Sequence, residues 1–293
     1  MNPKVQKIIF IVLILILACI FLFSAWQLGK YLVESITTKG DYQELAGMRG
    51  ENTPSRPVPT APQVSGTEPS QAATVPSTEP TELEETLPSL VTVTDPDTGE
   101  EISILPELAE LYVLNTDMVG WIEIPGTVVN YPVMQTPDRV DYYLQRDFYK
   151  KYNLHGCIYA REQCDINKPS DNITLYGHRM NDGSMFACLI DYTKEPFYRE
   201  HRYIYFDTLT ERHTYEVMAV FTTTATVGKG FAYHQFVDAA DEKAFDDFVN
   251  TCKSNSFVDT GVTAQLGDKL ITLSTCEYAH ENGRLVVVAK RVA

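Results

Sequence analysis

The residues Ile271-Thr272-Leu273-Ser274-Thr275-Cys276 join an apolar, β-prone run to a cysteine. The run from Lys269 to Leu273 predicts a buried strand that delivers Cys276 at its C-terminal end. Loops at the ends of strands carry a large share of functional side chains. We therefore expect a functional site around Cys276.

Arg284 opens the next predicted strand, Leu285 to Ala289. The connection contains Asn282-Gly283, a pair typical of tight turns between paired strands. Cys276 and Arg284 are therefore expected to face each other across neighbouring strands. A cation in that position favours the thiolate form of a cysteine.

Three blocks of the sequence stand out: 272–276 with Arg284, 172–186, and 119–127 with 131–133 and 141–144. Together they resemble the sortases, the membrane-anchored cysteine transpeptidases of Gram-positive cell walls. The first carries the signature Thr-Leu-x-Thr-Cys followed by a nearby arginine. The second contains Tyr-Gly-His and resembles the segment that holds the sortase histidine, particularly in class B. The third resembles the opening strands of that class, and the resemblance covers residues 105–293.

The resemblance implies a mainly β fold, a sortase-type β-barrel with a few peripheral helices. It implies that Cys276 is the nucleophile, that His178 is the general acid and base, and that Arg284 stabilises negative charge. Substrate-binding positions also carry over from the class B motifs: Leu144, Tyr176, Ser274, Thr275 and Glu277. Core packing for Leu144 and Tyr176, and strand-end hydrogen bonding for Ser274 and Thr275, are the alternatives. This chemistry demands no cofactor, and none is expected.

The resemblance also implies a reaction and its partners. Such an enzyme cleaves a sorting motif near the C-terminus of secreted proteins after a Thr, through a thioacyl intermediate, and transfers the protein to an amine of peptidoglycan precursor. The motif stays open between Asn-Pro-x-Thr-Asn-like and Pro-x-Thr-Gly-like sequences, as does the choice between protein anchoring and pilus assembly. One alternative is an extracytoplasmic cysteine endopeptidase, disfavoured because His178 precedes Cys276 in the chain. The other is a catalytically silent anchored binding module, disfavoured by the intact catalytic residues.

His280 is the main competitor of His178, because it lies four residues beyond Cys276. We expect it in the turn, and the Tyr-Gly-His block fits the family better. The remaining histidines lack a comparable context and are expected to be surface or packing residues: His155, His201, His213 and His234.

The N-terminus predicts one membrane-spanning helix. Lys4 and Lys7 precede an uncharged run in which the residues from Ile8 to Trp26, at about 1.5 Å each, span about 28 Å, close to the ~30 Å hydrocarbon thickness. A cleaved signal peptide is the alternative, but the run is long and lacks an Ala-x-Ala end. The basic start predicts a cytoplasmic N-terminus and an extracellular catalytic domain on a single-pass cell-membrane protein.

Composition divides the rest of the chain. The segment from Gly50 to Ser89 is rich in Pro, Thr, Ser and Glu, with almost no large apolar side chains, which predicts a disordered linker. We therefore expect a cytoplasmic tip and transmembrane anchor over 1–30, a stalk and disordered linker over 31–104, and a catalytic domain over 105–293. The residues from Tyr31 to Met48 have some helical spacing, which leaves open whether they extend the anchor helix or form the stalk. The formal net charge is −15, and no segment is basic enough to indicate nucleic-acid binding.

The catalytic domain is expected to be mostly β. Helices are predicted over 105–113 and 241–253, the second with Asp241 as its N-cap. The predicted strands cover 121–124, 156–160, 173–176, 203–209, 214–223, 269–273 and 285–289.

The chain has six cysteines, and Cys19 lies in the predicted span. The odd number outside it leaves at least one thiol unpaired, which we expect to be Cys276, whereas a disulfide between Cys157 and Cys164 is permitted. A zinc site is not expected, because those two cysteines have no matching second pair.

Overall fold

The computed structural model of the chain describes residues 3–50, 89–226, 228–278 and 282–293. The helices are α1 (Pro3–Gly50), α2 (Pro106–Leu114), α3 (Glu195–Glu200) and α4 (Glu242–Ser254), and short 3₁₀ helices cover Tyr142–Gln145, Ala187–Thr193 and Tyr233–Gln235. The strands are β1 (Val91–Thr94), β2 (Glu101–Ile104), β3 (Met118–Glu123), β4 (Asn130–Met134), β5 (Ile158–Ala160), β6 (Asn172–Tyr176), β7 (Tyr203–Thr208), β8 (Arg212–Thr224), β9 (Leu270–Glu277) and β10 (Gly283–Arg291).

Eight of these strands close a barrel in the spatial order β10-β8-β7-β3-β4-β5-β6-β9. Neighbours pair antiparallel except β4 with β5 and β6 with β9, which are parallel. The prediction of a mainly β barrel with a few peripheral helices is confirmed.

The uninterrupted apolar run of β10 is explained by burial on both of its faces. Leu285, Val287 and Ala289 belong to the main core, whereas Val286 and Val288 belong to a second cluster with side chains of α4. Alternate side chains of a strand point to opposite faces, so a helix that covers the outer face buries the remaining positions. Burying each of the leucine and valine side chains contributes about 1.5–3 kcal/mol.

β4 is missing from the strands predicted by pattern, although residues 131–133 belong to the block that resembles the opening strands of class B sortases. Pro132 within it cannot donate to a ladder. In the structure Pro132 lies opposite Trp121 of β3, and the pairing of β4 with β5 begins only at Val133. The proline is therefore tolerated because it lies outside the β4–β5 ladder.

Both predicted helices are confirmed within a residue at each end, as α2 and α4. α2 begins with Pro106, whose fixed φ suits the first turn of a helix. α4 follows Asp241, whose Oδ1 accepts the N–H of Ala244 at 2.8 Å, so the predicted N-cap is also present.

α1 continues as one helix from the apolar N-terminal run to Gly50. Its last third packs on the barrel, with Tyr42 and Leu45 buried in the main core. The hydroxyl of Tyr42 donates to the carbonyl of Gly156 at 2.7 Å. The segment after the apolar run, for which the sequence leaves open a helical extension of the anchor or a stalk, is therefore a helix docked on the barrel.

The predicted linker has structured residues at both ends. At its start are the docked residues of α1, and at its end β1 and β2 form an antiparallel hairpin. Asp95 in that hairpin accepts the hydroxyl of Tyr112 of α2 at 2.6 Å. Residues 51–88, which hold most of the predicted disordered linker, lie outside the described residues.

Candidate active site

The parallel pairing of β6 with β9 brings two of the predicted residues to one end of the barrel. Tyr176 lies opposite Ser274, and the N–H of Gly177 donates to the carbonyl of Ser274 at 3.1 Å. Because parallel strands run in the same direction, His178 and Cys276 each follow this pair by two residues at the same edge.

The antiparallel pairing of β9 with β10 sets Cys276 directly opposite Arg284, as the sequence predicts. Side chains directly opposite in such a pair lie on the same face, with their Cβ atoms about 4.5–5.5 Å apart. β9 extends to Glu277, beyond the predicted end at Leu273, so Cys276 lies within a strand and is held by its ladder.

A cleft of about 380 Å³ opens over these strand ends. Most of the predicted site residues line it: Leu144, Tyr176, His178, Ser274, Thr275, Cys276 and Arg284. Glu277 is absent from the described lining residues, and its side chain is mostly buried. Leu144 is 39% exposed, which disfavours its alternative role in core packing.

The imidazole of His178 is oriented by the backbone. Its Nε2 lies 2.7 Å from the carbonyl oxygen of Leu144. Since a carbonyl only accepts, Nε2 carries the hydrogen of this bond, and Nδ1 is the nitrogen left to exchange a proton. His280 lies outside the described residues.

The guanidinium of Arg284 is also held by the backbone. Its Nη1 donates to the carbonyl of Gly283 at 3.0 Å and reaches that of Asn282 at 3.5 Å. Both contacts use one nitrogen, and a guanidinium has five N–H donors in a fixed fork. The arrangement can therefore present further donors to an oxyanion.

Thr275 has a hydroxyl without a described partner. The residue is 2% exposed, and its Oγ1 makes no hydrogen bond to any described residue. A buried hydroxyl that lacks a partner costs free energy in the folded protein. Thr275 is also among the residues that line the cleft.

Lining residues that were not predicted as site residues include Arg161, Tyr233 and His234. Tyr233 reaches Ser274 with an oxygen–oxygen distance of 2.5 Å, and Arg161 donates to Tyr176 at 3.3 Å. Burial, followed by the charges of Arg161 and Arg284, lowers the pKa of His234. Burial raises the pKa of Tyr176 to about 12, although Arg161 opposes the shift. No local motif marks His234, so only the fold reveals that it lies beside the cleft.

Cys276 is the cysteine of the cleft, and all six cysteines, each described, are free thiols. The permitted Cys157–Cys164 disulfide is not formed. Burial raises the pKa of the Cys157, Cys164 and Cys252 thiols, which keeps them in the unreactive thiol form. Among the described residues, no group of three or more His, Cys, Asp or Glu side chains is placed to hold a metal ion.

A model of the sortase domain family matches residues 122–292, which is more than half of the chain. The chain belongs to the sortase family. This sortase is 33% identical to sortase B of Staphylococcus aureus (strain NCTC 8325 / PS 47) over 189 residues, which cover 64% of this chain and 75% of the relative. It is 34% identical to sortase B of Listeria monocytogenes serovar 1/2a over 189 residues, which cover 64% of this chain and 74% of the relative.

A solved complex of Staphylococcus aureus sortase B with substrate resembles this sortase in fold. The TM-score is 0.59 at 32% identity, and the match covers 64% of this chain and 86% of that chain. The sortase is therefore a class B sortase, a cysteine transpeptidase, as the three sequence blocks imply. Among its described residues, α1 is the one helix long and apolar enough to cross a membrane.

Proposed function

We propose that this sortase cleaves a sorting motif after Thr and transfers the protein to a peptidoglycan amine, with Cys276, His178 and Arg284 as its catalytic residues. The observation that carries the proposal is the pairing of Cys276 with Arg284 in a cleft that His178 also lines. The cleft gives these three groups access to one peptide.

In the first half-reaction, the thiolate of Cys276 attacks the carbonyl carbon of the Thr residue. Negative charge develops on the carbonyl oxygen, and donors from Arg284 stabilise it. The carbon–nitrogen bond then breaks, a thioester forms on Cys276, and the proton on Nδ1 of His178 goes to the departing amine.

In the second half-reaction, an amine of peptidoglycan precursor enters the cleft. Nδ1 of His178 accepts a proton from this amine, whose nitrogen attacks the thioester carbon. A new amide bond forms, and the Cys276 thiolate leaves. The Cys276 thiolate and the protonated His178 are thereby restored. The two half-reactions together need no cofactor.

Binding of the sorting motif is assigned to the predicted residues that line the cleft: Leu144, Tyr176, Ser274 and Thr275. The exposure of Leu144 and the unpartnered hydroxyl of Thr275 support this assignment. Glu277, also predicted to bind substrate, has the weakest support because it is mostly buried and absent from the described lining.

The same proposal includes a retained anchor. The exposed apolar side chains of α1 between Ile9 and Trp26 support a transmembrane span, and the basic residues Lys4 and Lys7 favour a cytoplasmic N-terminus. The catalytic domain would then lie outside the cell, attached to the cell membrane. The proposal keeps the expected domain boundaries, with the anchor over 1–30, the stalk and linker over 31–104, and the catalytic domain over 105–293.

Intact-protein mass spectrometry tests the chemistry. The full chain in detergent is incubated with a panel of sorting-motif peptides and an amine, beside Cys276→Ala and the matched control Cys188→Ala. A thioacyl adduct on the wild type and the control, absent from Cys276→Ala, together with amine-ligated peptide, supports transpeptidation. Hydrolysed peptide without ligation would favour the endopeptidase, and no cleavage of any peptide would favour the binding module.

A further inference from the structure

A second cleft separates α1 from one loop of the barrel. It measures about 800 Å³, and its walls include Trp26, Lys30 and Val33 of α1 and Tyr149 and Lys151 of the barrel. The cleft therefore brings a barrel loop beside the end of the proposed membrane span.

On α1, the apolar surface does not stop at Trp26. Leu32, Val33 and Ile36 are each at least half exposed, and Lys30 extends over the Trp26 ring at 5.2 Å. Tryptophan and lysine are typical of the membrane–water interface at the end of a span. This part of α1 therefore has the composition of a helix leaving the hydrocarbon core.

Asp147, Tyr149, Lys151 and Asn153 line the barrel side of the cleft. The last three belong to the sequence Tyr149-Lys150-Lys151-Tyr152-Asn153-Leu154, called here the 149–154 loop. Asp147 stabilises its turn by accepting the N–H groups of Tyr149 at 3.0 Å and Lys151 at 2.9 Å. The loop nevertheless exposes Tyr149 by 40%, Tyr152 by 70% and Leu154 by 38%.

Two hydrogen bonds fix the 149–154 loop to α1. The N–H of Leu154 donates to Oε1 of Glu34 at 2.9 Å, and Nδ2 of Asn153 donates to Oγ1 of Thr38 at 2.7 Å. Glu34 lies eight residues beyond Trp26, which is about 12 Å along a helix. If α1 crosses the bilayer, the loop is therefore held close to the same leaflet.

We propose that the 149–154 loop is a second membrane contact, in which Tyr149, Tyr152 and Leu154 enter the interfacial layer beside α1. The proposal rests on the anchoring role proposed for α1. The contact is aromatic and apolar rather than electrostatic, since the carboxylates of Glu34, Asp41 and Asp147 line the cleft along with the two lysines. The occupant it fits is thus the lipid interface.

The contact also sets the distance between the bilayer and the active site. The 149–154 loop follows Leu144, whose carbonyl receives the bond from His178. A barrel that is held by both α1 and this loop presents its catalytic cleft at a fixed height above the leaflet, so the enzyme selects substrates that lie close to the membrane.

Tryptophan fluorescence in vesicles tests the contact. Each variant is the full chain with Trp26→Phe, which leaves Trp121, fully buried, as background. Tyr152→Trp is the reporter, and Phe257→Trp is the matched control, since Phe257 is 54% exposed after α4. The vesicles contain phosphatidylcholine with or without bromine on the acyl chains. We expect brominated lipid to quench Tyr152→Trp several-fold more than Phe257→Trp.

Flotation of the same vesicles after an alkaline wash tests the transmembrane anchor separately from the loop contact. Protein that floats while Tyr152→Trp and Phe257→Trp are quenched equally would overturn the loop contact and leave the anchor intact. Protein lost in the wash would overturn the anchor, and the loop contact with it. As a second check, Tyr149→Ser combined with Tyr152→Ser is expected to leave cleavage of a soluble peptide unchanged and to lower the yield with a substrate anchored in the same vesicles.

Discussion

The guanidinium of Arg49 lies 2.9 Å from the carboxylate of Asp207, which joins the end of α1 to β7. Arg49 also contacts Glu123 at 2.9 Å and extends over the Trp121 ring at 5.3 Å. Arg49 and Asp207 are both buried, so their charges compensate each other in a position with little water. The end of α1 and the barrel are thus packed as one unit.

Replacing Arg49 should destabilise that unit. Arg49→Met leaves Asp207 with a buried charge that has lost a partner, which typically costs about 3–5 kcal/mol. The measurement is guanidinium unfolding of the full chain in detergent, followed by the fluorescence of nearby Trp121. The control is Lys243→Met, which breaks an exposed pair with Asp247 and should leave the free energy of unfolding nearly unchanged. Equal losses in the two variants would contradict the buried role of Arg49.

Arg284→Ala tests transition-state stabilisation. Loss of an oxyanion donor typically lowers kcat by about 10²–10³-fold, and we expect a decrease of that size with little change in stability. Peptide cleavage kinetics and thermal unfolding measure the two quantities. Arg291→Ala changes an arginine at the other end of β10 and should alter kcat by less than about twofold, as a surface substitution does. A normal kcat in Arg284→Ala would remove this arginine from the mechanism.

Thr275→Val tests whether the hydroxyl of Thr275 binds substrate or stabilises the fold. Since Oγ1 of Thr275 is buried and makes no hydrogen bond to the described residues, its removal should leave the free energy of unfolding unchanged or higher. If the hydroxyl binds substrate, kcat/KM should fall about tenfold, the equivalent of one hydrogen bond of roughly 1–1.5 kcal/mol. Thr275→Ser keeps the hydroxyl and serves as the control. Destabilisation of Thr275→Val with normal kinetics would indicate a structural role.

The features that the sequence predicts are those encoded by neighbouring residues. The pairing of Cys276 with Arg284 follows from a strand, a turn and a second strand, and α4 follows from its cap and its apolar spacing. The docking of α1 is different, because Tyr42 and Arg49 meet residues more than seventy positions away. Nothing in their own segment marks those partners.

His234 was missed for the same reason. It lies in a 3₁₀ helix far from the catalytic blocks, and the barrel alone brings it to the cleft beside Arg161 and Arg284. The hairpin of β1 and β2 was missed because its strands are short and close to the Pro-rich segment, so composition favoured a linker.

Asp182 links α1 to the segment that carries His178. One carboxylate oxygen accepts the hydroxyl of Ser184 at 2.6 Å, and the other accepts the hydroxyl of Ser35 of α1. His155 contacts the same carboxylate at 3.1 Å. Burial alone would raise the pKa of Asp182, but the hydrogen bonds from Ser184 and Ser35 outweigh burial and hold the pKa below its usual range.

Because the pKa of Asp182 is lowered in the folded protein, its contribution to the free energy of unfolding depends on pH. Because the folded protein binds the Asp182 proton less tightly than the unfolded chain, the stabilisation is complete above the unfolded pKa of about 3.9 and is lost as the pH falls towards the folded value. At pH 7, Asp182→Asn should lower the free energy of unfolding by about 1.5–3 kcal/mol, the range for hydrogen bonds to a charged group. The difference from wild type should shrink below about pH 4.

Unfolding curves from pH 7 down to pH 3 measure this difference. Asp259→Asn is the control, since Asp259 is an exposed loop residue that accepts only a local N–H from Gly261 among its described contacts. A difference between wild type and Asp182→Asn that stays constant across the whole range would assign the loss to packing. A difference that shrinks below about pH 4 places the charge of Asp182 in the contact between α1 and the histidine segment.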